Sequence, residues 1–357
     1  MDLERRIDLV KAEPTEEIIT EADLRTLLET KQRPVAYDGF EPSGLLHLGS
    51  GVMRAIKVQD MLRAKVDFIL WIADWFGYIN NKMGGNLEAL KKTGEYFIEG
   101  WEACGVDMKK VRVLWTSDAV KDPEYWKGVI DVAKIVTVQR TIRASPTMGR
   151  QEEEMNYTAR LLYPMMQVFD PFYFGADILQ LGMDQRHATI LSREIAPKLK
   201  KSTRVCVHHH LLAGLHGREA GRMGQEFAVE AKMSKSKPQT AIFIHDSKKE
   251  IEEKTSKAFC PEKTAEGNPI LEICRYILFR KFESLEITRP KKFGGDVTFS
   301  SYAELEAEYR KGKLHPTDLK NAAAEHLDKI LAPVRKHFEK GRAKELYEFV
   351  AKQQVTR

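Results

Sequence analysis

Cysteine is scarce: Cys104, Cys206, Cys260 and Cys274 are the four in 357 residues, and no two form a CxxC pair. That excludes a disulfide-framed scaffold and argues against a zinc ribbon, so buried reduced thiols and no metal centre are expected. Long apolar runs are missing too. Nothing approaches the roughly 18 residues of a membrane span. The start, Met1-Asp-Leu-Glu-Arg-Arg, lacks the apolar core of a secretion signal, so a cytoplasmic protein without a membrane partner is expected. Two nucleotide fingerprints are absent. There is no GxxxxGK[ST] and no GxGxxG after a strand, which excludes a P-loop enzyme and removes the usual mark of a dinucleotide-binding fold. No internal repeat or low-complexity tract appears. Charge is nearly balanced, at 57 basic against 52 acidic residues. Residues 241–357 carry 23 basic and 19 acidic residues, so most of the net +5 lies in the last third. A mildly basic third suits contact with phosphates but does not establish it.

What is present reads as two folding regimes. Residues 2–30 pattern as two short helices, with Leu3, Ile7 and Val10 on one stripe and a second helix starting near Thr15 behind Pro14. Strands follow at 34–40, at Val66–Ala73, at Val111–Leu114, at Ile178–Gly182 and at Val205–Leu212. Helices between them fall near 47–64, 86–103, 122–140, 152–168 and 184–199. Strands alternating with helices predict an α/β domain with a parallel sheet, and ligands in such sheets bind beyond the carboxyl ends of the strands. After Pro238 helical periodicity dominates, at about 247–258, 269–281, 302–311, 316–338 and 342–352. The expected division is N-terminal helices at 1–30, a catalytic domain at 31–228 with an insertion at about 110–160, a mobile loop at 229–240, and a mostly α-helical domain at 241–357.

Two stretches carry chemistry. Lys232-Met233-Ser234-Lys235-Ser236 follows Gly214, Gly217, Gly221 and Gly224, so a loop able to swing would bring two ammonium groups to a polyphosphate. Far upstream, Tyr37-Asp-Gly-Phe-Glu-Pro-Ser-Gly-Leu-Leu-His-Leu-Gly-Ser50 ends a strand in a Gly/Pro turn and opens a helix. Backbone N–H groups at such a turn attract phosphate, and Gly39 and Gly49 allow close approach. His47 can donate to phosphate oxygens as charge builds in a transition state. A third cluster, Tyr163-Pro-Met-Met-Gln167-Val-Phe-Asp170, sets a phenol, an amide and a carboxylate on one helical face. His208-His209-His210 alternate across a strand, so they are expected to be structural.

Together these stretches resemble class I aminoacyl-tRNA synthetases. The family's His-Ile-Gly-His appears as His47-Leu48-Gly49-Ser50, and its Lys-Met-Ser-Lys-Ser is matched in full. With Tyr37-x-Gly39, Gly182-Met-Asp-Gln185-Arg, Phe293-Gly-Gly-Asp-Val-Thr and His315-Pro-Thr-Asp-Leu-Lys-Asn321, the chain is similar over nearly its whole length to the tyrosyl-tRNA synthetases of archaeal and eukaryotic type. The resemblance implies a Rossmann-like catalytic domain, ATP and Mg2+, L-tyrosine and tRNA-Tyr as partners, and a homodimer formed through the insertion. Carried over, His47, Lys232 and Lys235 serve catalysis, and Gly39, Gly49, Ser50 and Lys235 serve ATP. Tyr37 and Asp170 would bind the substrate's phenol. Tyr163, Gln167 and Gln185 would hold its α-amino group, with Glu41 at the same pocket. Phe293, His315 and Asp318 would contact the anticodon. Arg140, Arg143 and Arg150 suit RNA phosphates or a solvated surface equally. The rival readings are the related tryptophanyl enzyme, another nucleotidyltransferase, and a catalytically dead RNA-binding relative.

Overall fold

The computed structural model describes residues 1–144, 157–217, 233 and 238–353. In chain order the first elements are α1 (Leu3–Lys11), β1 (Thr15–Ile19), α2 (Glu21–Thr30), β2 (Val35–Phe40), α3 (Arg54–Arg63), β3 (Asp67–Ile72), α4 (Asp74–Ile79), α5 (Leu87–Ala103) and β4 (Val111–Trp115). There follow α6 (Thr116–Ala119), α7 (Pro123–Ala133), α8 (Val138–Arg143), α9 (Thr158–Tyr173), β5 (Ile178–Gly182), α10 (Arg186–Ile195) and β6 (Val205–His209). The strands form one sheet in the order β1-β6-β5-β2-β3-β4. β2 to β6 run parallel, and β1 closes one edge antiparallel to β6. The chain crosses over beside β2, between β5 and β3. That switch point puts the carboxyl ends of β2 and β5 where a doubly wound fold gathers its ligands.

β1 corrects the expectation of two helices before residue 30. Thr15 does not start a helix. The second helix starts at Glu21, where Thr20 Oγ1 accepts the Asp23 N–H at 3.0 Å. Thr15-Glu-Glu-Ile-Ile is rich in β-branched residues, and its acids find partners only when extended. Glu17 reaches His208 and Arg186, and Glu16 reaches His210. Such tertiary pairing overrides local periodicity. The helix expected at 122–140 divides into α7 and α8. The expected parallel sheet is mixed at that one edge.

Beyond residue 238 the chain is mostly helical, with Lys248–Lys257, Pro269–Ile273, Tyr302–Arg310, Pro316–His337 and Gly341–Ala351 the main segments. A short antiparallel hairpin, β7 (Leu285–Ile287) with β8 (Val297–Phe299), was not anticipated. Three-residue strands leave too little alternation to detect.

Buried polar side chains tie these parts together. Lys57 of α3 has no exposed surface, and its Nζ donates to the carbonyls of Leu9, Val10 and Ala12 at 3.1, 2.6 and 3.0 Å. It closes the C-terminal end of α1, where carbonyls lack partners inside the helix. Burial pushes its ammonium down to about 7. Asp60, one turn along, is also fully buried and takes both oxygens to Arg280 Nη2 at 2.9 and 2.8 Å. Arg280 in turn donates to the Glu13 carbonyl. One face of α3 thus fastens the N-terminal helix to the C-terminal region. Lys57→Met keeps the packed stem and strands three carbonyls. It is expected to lower unfolding free energy by about 2–5 kcal/mol. A urea midpoint within error of the parent's would show that the carbonyls find other partners.

Candidate active site

The turn expected to meet phosphate leaves β2 at Phe40 and begins its helix as a π-turn, Gly49–Met53, rather than as the α-helix expected from His47 onward. Such widened turns recur at functional sites. Within the turn His47 N–H donates to Ser50 Oγ at 3.1 Å, and Gly49 N–H donates to His47 Nδ1 at 3.1 Å. Ser50, standing in place of the second histidine of the family motif, therefore ties the turn to its own backbone. A Cβ on Gly49 would come within 3.1 Å of His47 Cε1, so glycine makes room for the ring. A Cβ on Gly51 would meet Ile244 Cγ2 at 2.7 Å. That closeness reflects a backbone clasp. Leu48 N–H donates to Ile242 O at 2.9 Å and Ile244 N–H to Leu46 O at 3.0 Å.

The same clasp bears on the lysine loop. Lys232 and Lys235 lie outside the described residues. Met233 between them is described: it is buried, and its N–H donates to Leu212 O at 2.7 Å. On the far flank Thr240 O accepts the Leu215 N–H at 2.8 Å, two residues before Ile242. Met233 and the far flank at Thr240 are thus both bonded to the stretch Leu212–Leu215 that follows β6.

The six residues expected around tyrosine gather on one side of the sheet. Tyr163, Gln167 and Asp170 all lie on α9, with Tyr163 and Asp170 buried and Gln167 half-buried. Tyr163 Oη donates to Glu41 Oε2 at 3.3 Å, and Asn80 Nδ2 donates to the same oxygen at 2.7 Å. Lys82 Nζ stands 4.0 Å from the other Glu41 oxygen. Gln167 Nε2 donates to Gln185 Oε1 at 2.6 Å. Gln167 Oε1 is buried and has no partner among the described residues. A buried amide oxygen in that state is a ready acceptor for an ammonium group.

At the other end stand Tyr37 and Asp170. Both are buried, and the Asp170 charge adds to burial in pushing the Tyr37 phenol upward. Asp170 accepts from Tyr125 Oη at 2.8 Å and from Trp71 Nε1 at 3.0 Å. Neither donor is a cation, and burial raises the carboxyl to about 8. Phe174 wedges between Tyr37 and Trp71, with ring centroids 5.0 and 4.9 Å away. Gly39 lies under the edge of Trp71. On the opposite face of β2, Asp38 pairs with buried Arg54, and burial lifts Asp38 to about 7.

Sequence reasoning missed five of these neighbours. Trp71 reads as an ordinary apolar strand residue. Tyr125 lies in the stretch assigned to the insertion, 45 positions from Asp170. Asn80 and Lys82 occupy a turn with left-handed backbone at Asn81 and Met83, and the run Asn-Asn-Lys-Met-Gly-Gly was its signal. Asp184 was passed over between Gly182 and Gln185, although its charge reaches Tyr163, Asp38 and His208.

The histidine run spreads out as expected of structural residues. His208 bonds Glu17 at 2.8 Å and Thr189 at 2.8 Å, and His209 faces Gln180 at 3.3 Å. His210 is held between Glu16 and Glu272 at 2.9 and 3.0 Å. Phe293 ends a one-turn helix, and its side chain lies outside the described residues. His315 caps the helix Pro316–His337 by accepting the Thr317 N–H at 3.1 Å, and Asp318 sits in that helix's first turn. Arg140 forms a two-oxygen pair with Glu194, which favours the surface reading of that residue, and Arg150 lies outside the described residues.

The family described as tRNA synthetases class I (W and Y) matches residues 29–332. A tyrosine–tRNA ligase of Thermococcus kodakarensis is 45% identical over 95% of this chain and 96% of its own. Cytoplasmic tyrosine–tRNA ligase 1 of Arabidopsis thaliana is 42% identical over 100% of this chain and 90% of its own. The solved structure of tyrosyl-tRNA synthetase from Pyrococcus horikoshii, complexed with L-tyrosine, superposes with a TM-score of 0.91. It is 42% identical and covers 98% of this chain and 100% of that one.

Asp170 carries a pH signature. Its raised value means that the folded chain keeps a proton which the unfolded chain loses near the ordinary ~3.9. This contribution to stability is whole below that value and gone above about 8, so stability falls as pH rises between them. Asp170→Asn removes the slope. Melting temperatures at pH 5 and pH 8 are expected to differ less in the variant than in the parent; an equal difference would assign the proton elsewhere.

Proposed function

The chain belongs to the class I tRNA synthetases of the tryptophan and tyrosine group, and from that we propose a tyrosine–tRNA ligase. It activates L-tyrosine with ATP to tyrosyl-adenylate and pyrophosphate, then transfers tyrosine to the 3'-terminal adenosine of tRNA-Tyr. The carrying observation is the buried carboxyl of Asp170 beside Tyr37, held by two neutral donors and, among the described residues, by no cation. Such a group suits a hydroxyl on the substrate ring. Phenylalanine would leave Asp170 and Tyr37 without that partner, and each unpaired buried group costs about 1–3 kcal/mol. An indole ring has no hydroxyl to offer them, which weighs against the tryptophanyl rival. At the pocket's other end the free oxygen of Gln167, with Tyr163, Gln185 and Glu41, receives the α-amino group.

In this reading the tyrosine carboxylate attacks the α-phosphorus of ATP, and the bond to pyrophosphate breaks. Gly39, Gly49 and the turn at Ser50 approach the nucleotide. His47, Lys232 and Lys235 meet the negative charge that grows on the leaving group, so they act on the transition state more than on the ground state. ATP enters as its Mg2+ complex. Bound to the triphosphate, the ion would offset phosphate charge as the leaving group forms. The segment from 241 onward, with Phe293, His315 and Asp318, receives the anticodon of the tRNA. The Arabidopsis relative is cytoplasmic by name, and the same compartment is inferred here.

A homodimer through α7 to α9 is part of the proposal. Ile130, Val138, Tyr157 and Leu162 stand out there as large apolar side chains exposed by 57, 62, 67 and 40%. Ile130 also borders a shallow groove of about 640 Å³, lined by Val120, Pro123 and Trp126 and rimmed by the charged side chains of Lys121, Lys127, Asp131 and Lys134. Apolar surface of this kind marks an interface. Ile130→Glu is expected to shift sedimentation toward the monomer; an unchanged species would move the interface elsewhere.

ATP–pyrophosphate exchange across the twenty amino acids tests the activity itself, and stimulation by anything other than tyrosine would overturn it. Asp170→Ala is expected to cut tyrosine-over-phenylalanine discrimination by between about tenfold and a hundredfold. Lys235→Ala is expected to slow adenylate formation on the order of a hundredfold while tyrosine still binds. Equal loss of both would deny Lys235 a transition-state role.

A further inference from the structure

The loop between β7 and β8 is long for so short a hairpin, and one side chain organises it. Lys291–Phe293 makes a single helical turn, and the chain then reverses through Gly294 at φ +101° and Gly295 at φ +70°. Arg289 stands at the base of this loop, half-buried. Its backbone N–H donates to Asp296 Oδ1 at 3.0 Å, so the two legs are bridged. Its Nε donates to Gly295 O at 2.5 Å. Its Nη1 crosses to a different element and donates to Lys313 O at 2.7 Å. Lys313 lies two residues before His315. A Cβ on Gly294 would come within 3.2 Å of the guanidinium, so the glycine serves the close approach as well as the turn.

We propose that Arg289 is a positioning residue for anticodon recognition: its guanidinium braces the loop carrying Phe293 against the turn carrying His315. The proposal rests on the reading of those two residues as anticodon contacts. The partner is an unpaired base of an RNA loop, which is read by stacking and by hydrogen bonds to its edge. Two such contacts from separate elements select a base only while their spacing is fixed to about 0.5 Å. The His315 ring is already fixed on one side, since its Nδ1 caps the helix while the side chain stays 60% exposed. The Phe293 turn is tied to that element through Arg289. Lys291 and Lys292 are exposed on the same loop as Phe293 and supply sequence-independent attraction to phosphates, while Lys311 and Lys313 pair with Glu308.

The choice of arginine follows. Its planar fork directs N–H groups to two carbonyls at once, whereas a lysine ammonium is a single point on a flexible stem. Charge alone does not reproduce the brace.

The test uses the full-length chain as parent, Arg289→Ala and Arg289→Lys. The substrates are a tRNA-Tyr transcript and the same transcript with its first anticodon base replaced. ATP–pyrophosphate exchange and melting temperature are expected to stay near the parent's, because the brace lies outside the nucleotide and tyrosine sites. Charging of the unaltered tRNA is expected to fall about tenfold in both variants, and discrimination between the two transcripts to shrink with it. Discrimination as strong in Arg289→Ala as in the parent overturns the proposal. So does full rescue by Arg289→Lys, which would reduce the role to charge. A parent that charges both transcripts alike removes the anticodon reading itself, and does so before any substitution is made.

Discussion

Two backbone hydrogen bonds hold the chemistry of this protein in one place. They join Leu48 to Ile242 and Ile244 to Leu46, and so lay a segment from the beginning of the helical region across the first phosphate turn. The turn could not adopt its shape alone. Its helix opens as a π-turn, a geometry that needs outside support, and Gly51 gives up its side chain so that Ile244 can lie against it. A third support comes from Tyr96, whose hydroxyl accepts the Leu46 N–H at 3.1 Å and meets His245 at 2.8 Å. His245 is stacked on Tyr347, with centroids 4.0 Å apart, and burial drives its imidazole down to about 3, so this ring stays neutral. Packing, not charge, anchors the His47 turn.

The end proposed for tyrosine is built differently. Asp170, Tyr37, Tyr125 and Trp71 form a buried group in which, among the described residues, no positive charge answers the carboxyl. Burying a carboxyl this way destabilises the fold unless donors satisfy it. The two donors that do so also fix its orientation, so the group is shaped before a ligand arrives. Glu41, by contrast, is surrounded by Asn80, Tyr163 and Lys82 and lies at the wetter end. A ligand with a neutral hydroxyl at one end and an ammonium at the other fits that gradient.

Much of this was legible in the sequence, for physical reasons that can be named. Tyr163, Gln167 and Asp170 could be placed on one helical face because helix geometry fixes that spacing, and α9 keeps it despite Pro164 and Pro171. The alternation of strands and helices carried the sheet. What escaped depends on partners distant in the chain. Thr15–Ile19 is a strand only because His208 and His210 lie opposite its acids. Trp71 and Tyr125 matter only because folding brings them to Asp170 from two other elements. Ser50 turned out to bond its own loop, a local contact that could have been read from its spacing to His47. The β7–β8 hairpin was too short to announce itself.

The fastening of α3 has a corollary. Lys57 and Asp60 grip the N-terminal helix and the helical region near Arg280 from inside the sheet domain, and the clasp at Ile242 and Ile244 repeats the arrangement at the His47 turn. The helical portion is therefore no interchangeable cassette. Exchanging it for another module would leave Lys57, Asp60 and the turn at Leu46–Leu48 to find new partners in the same stroke.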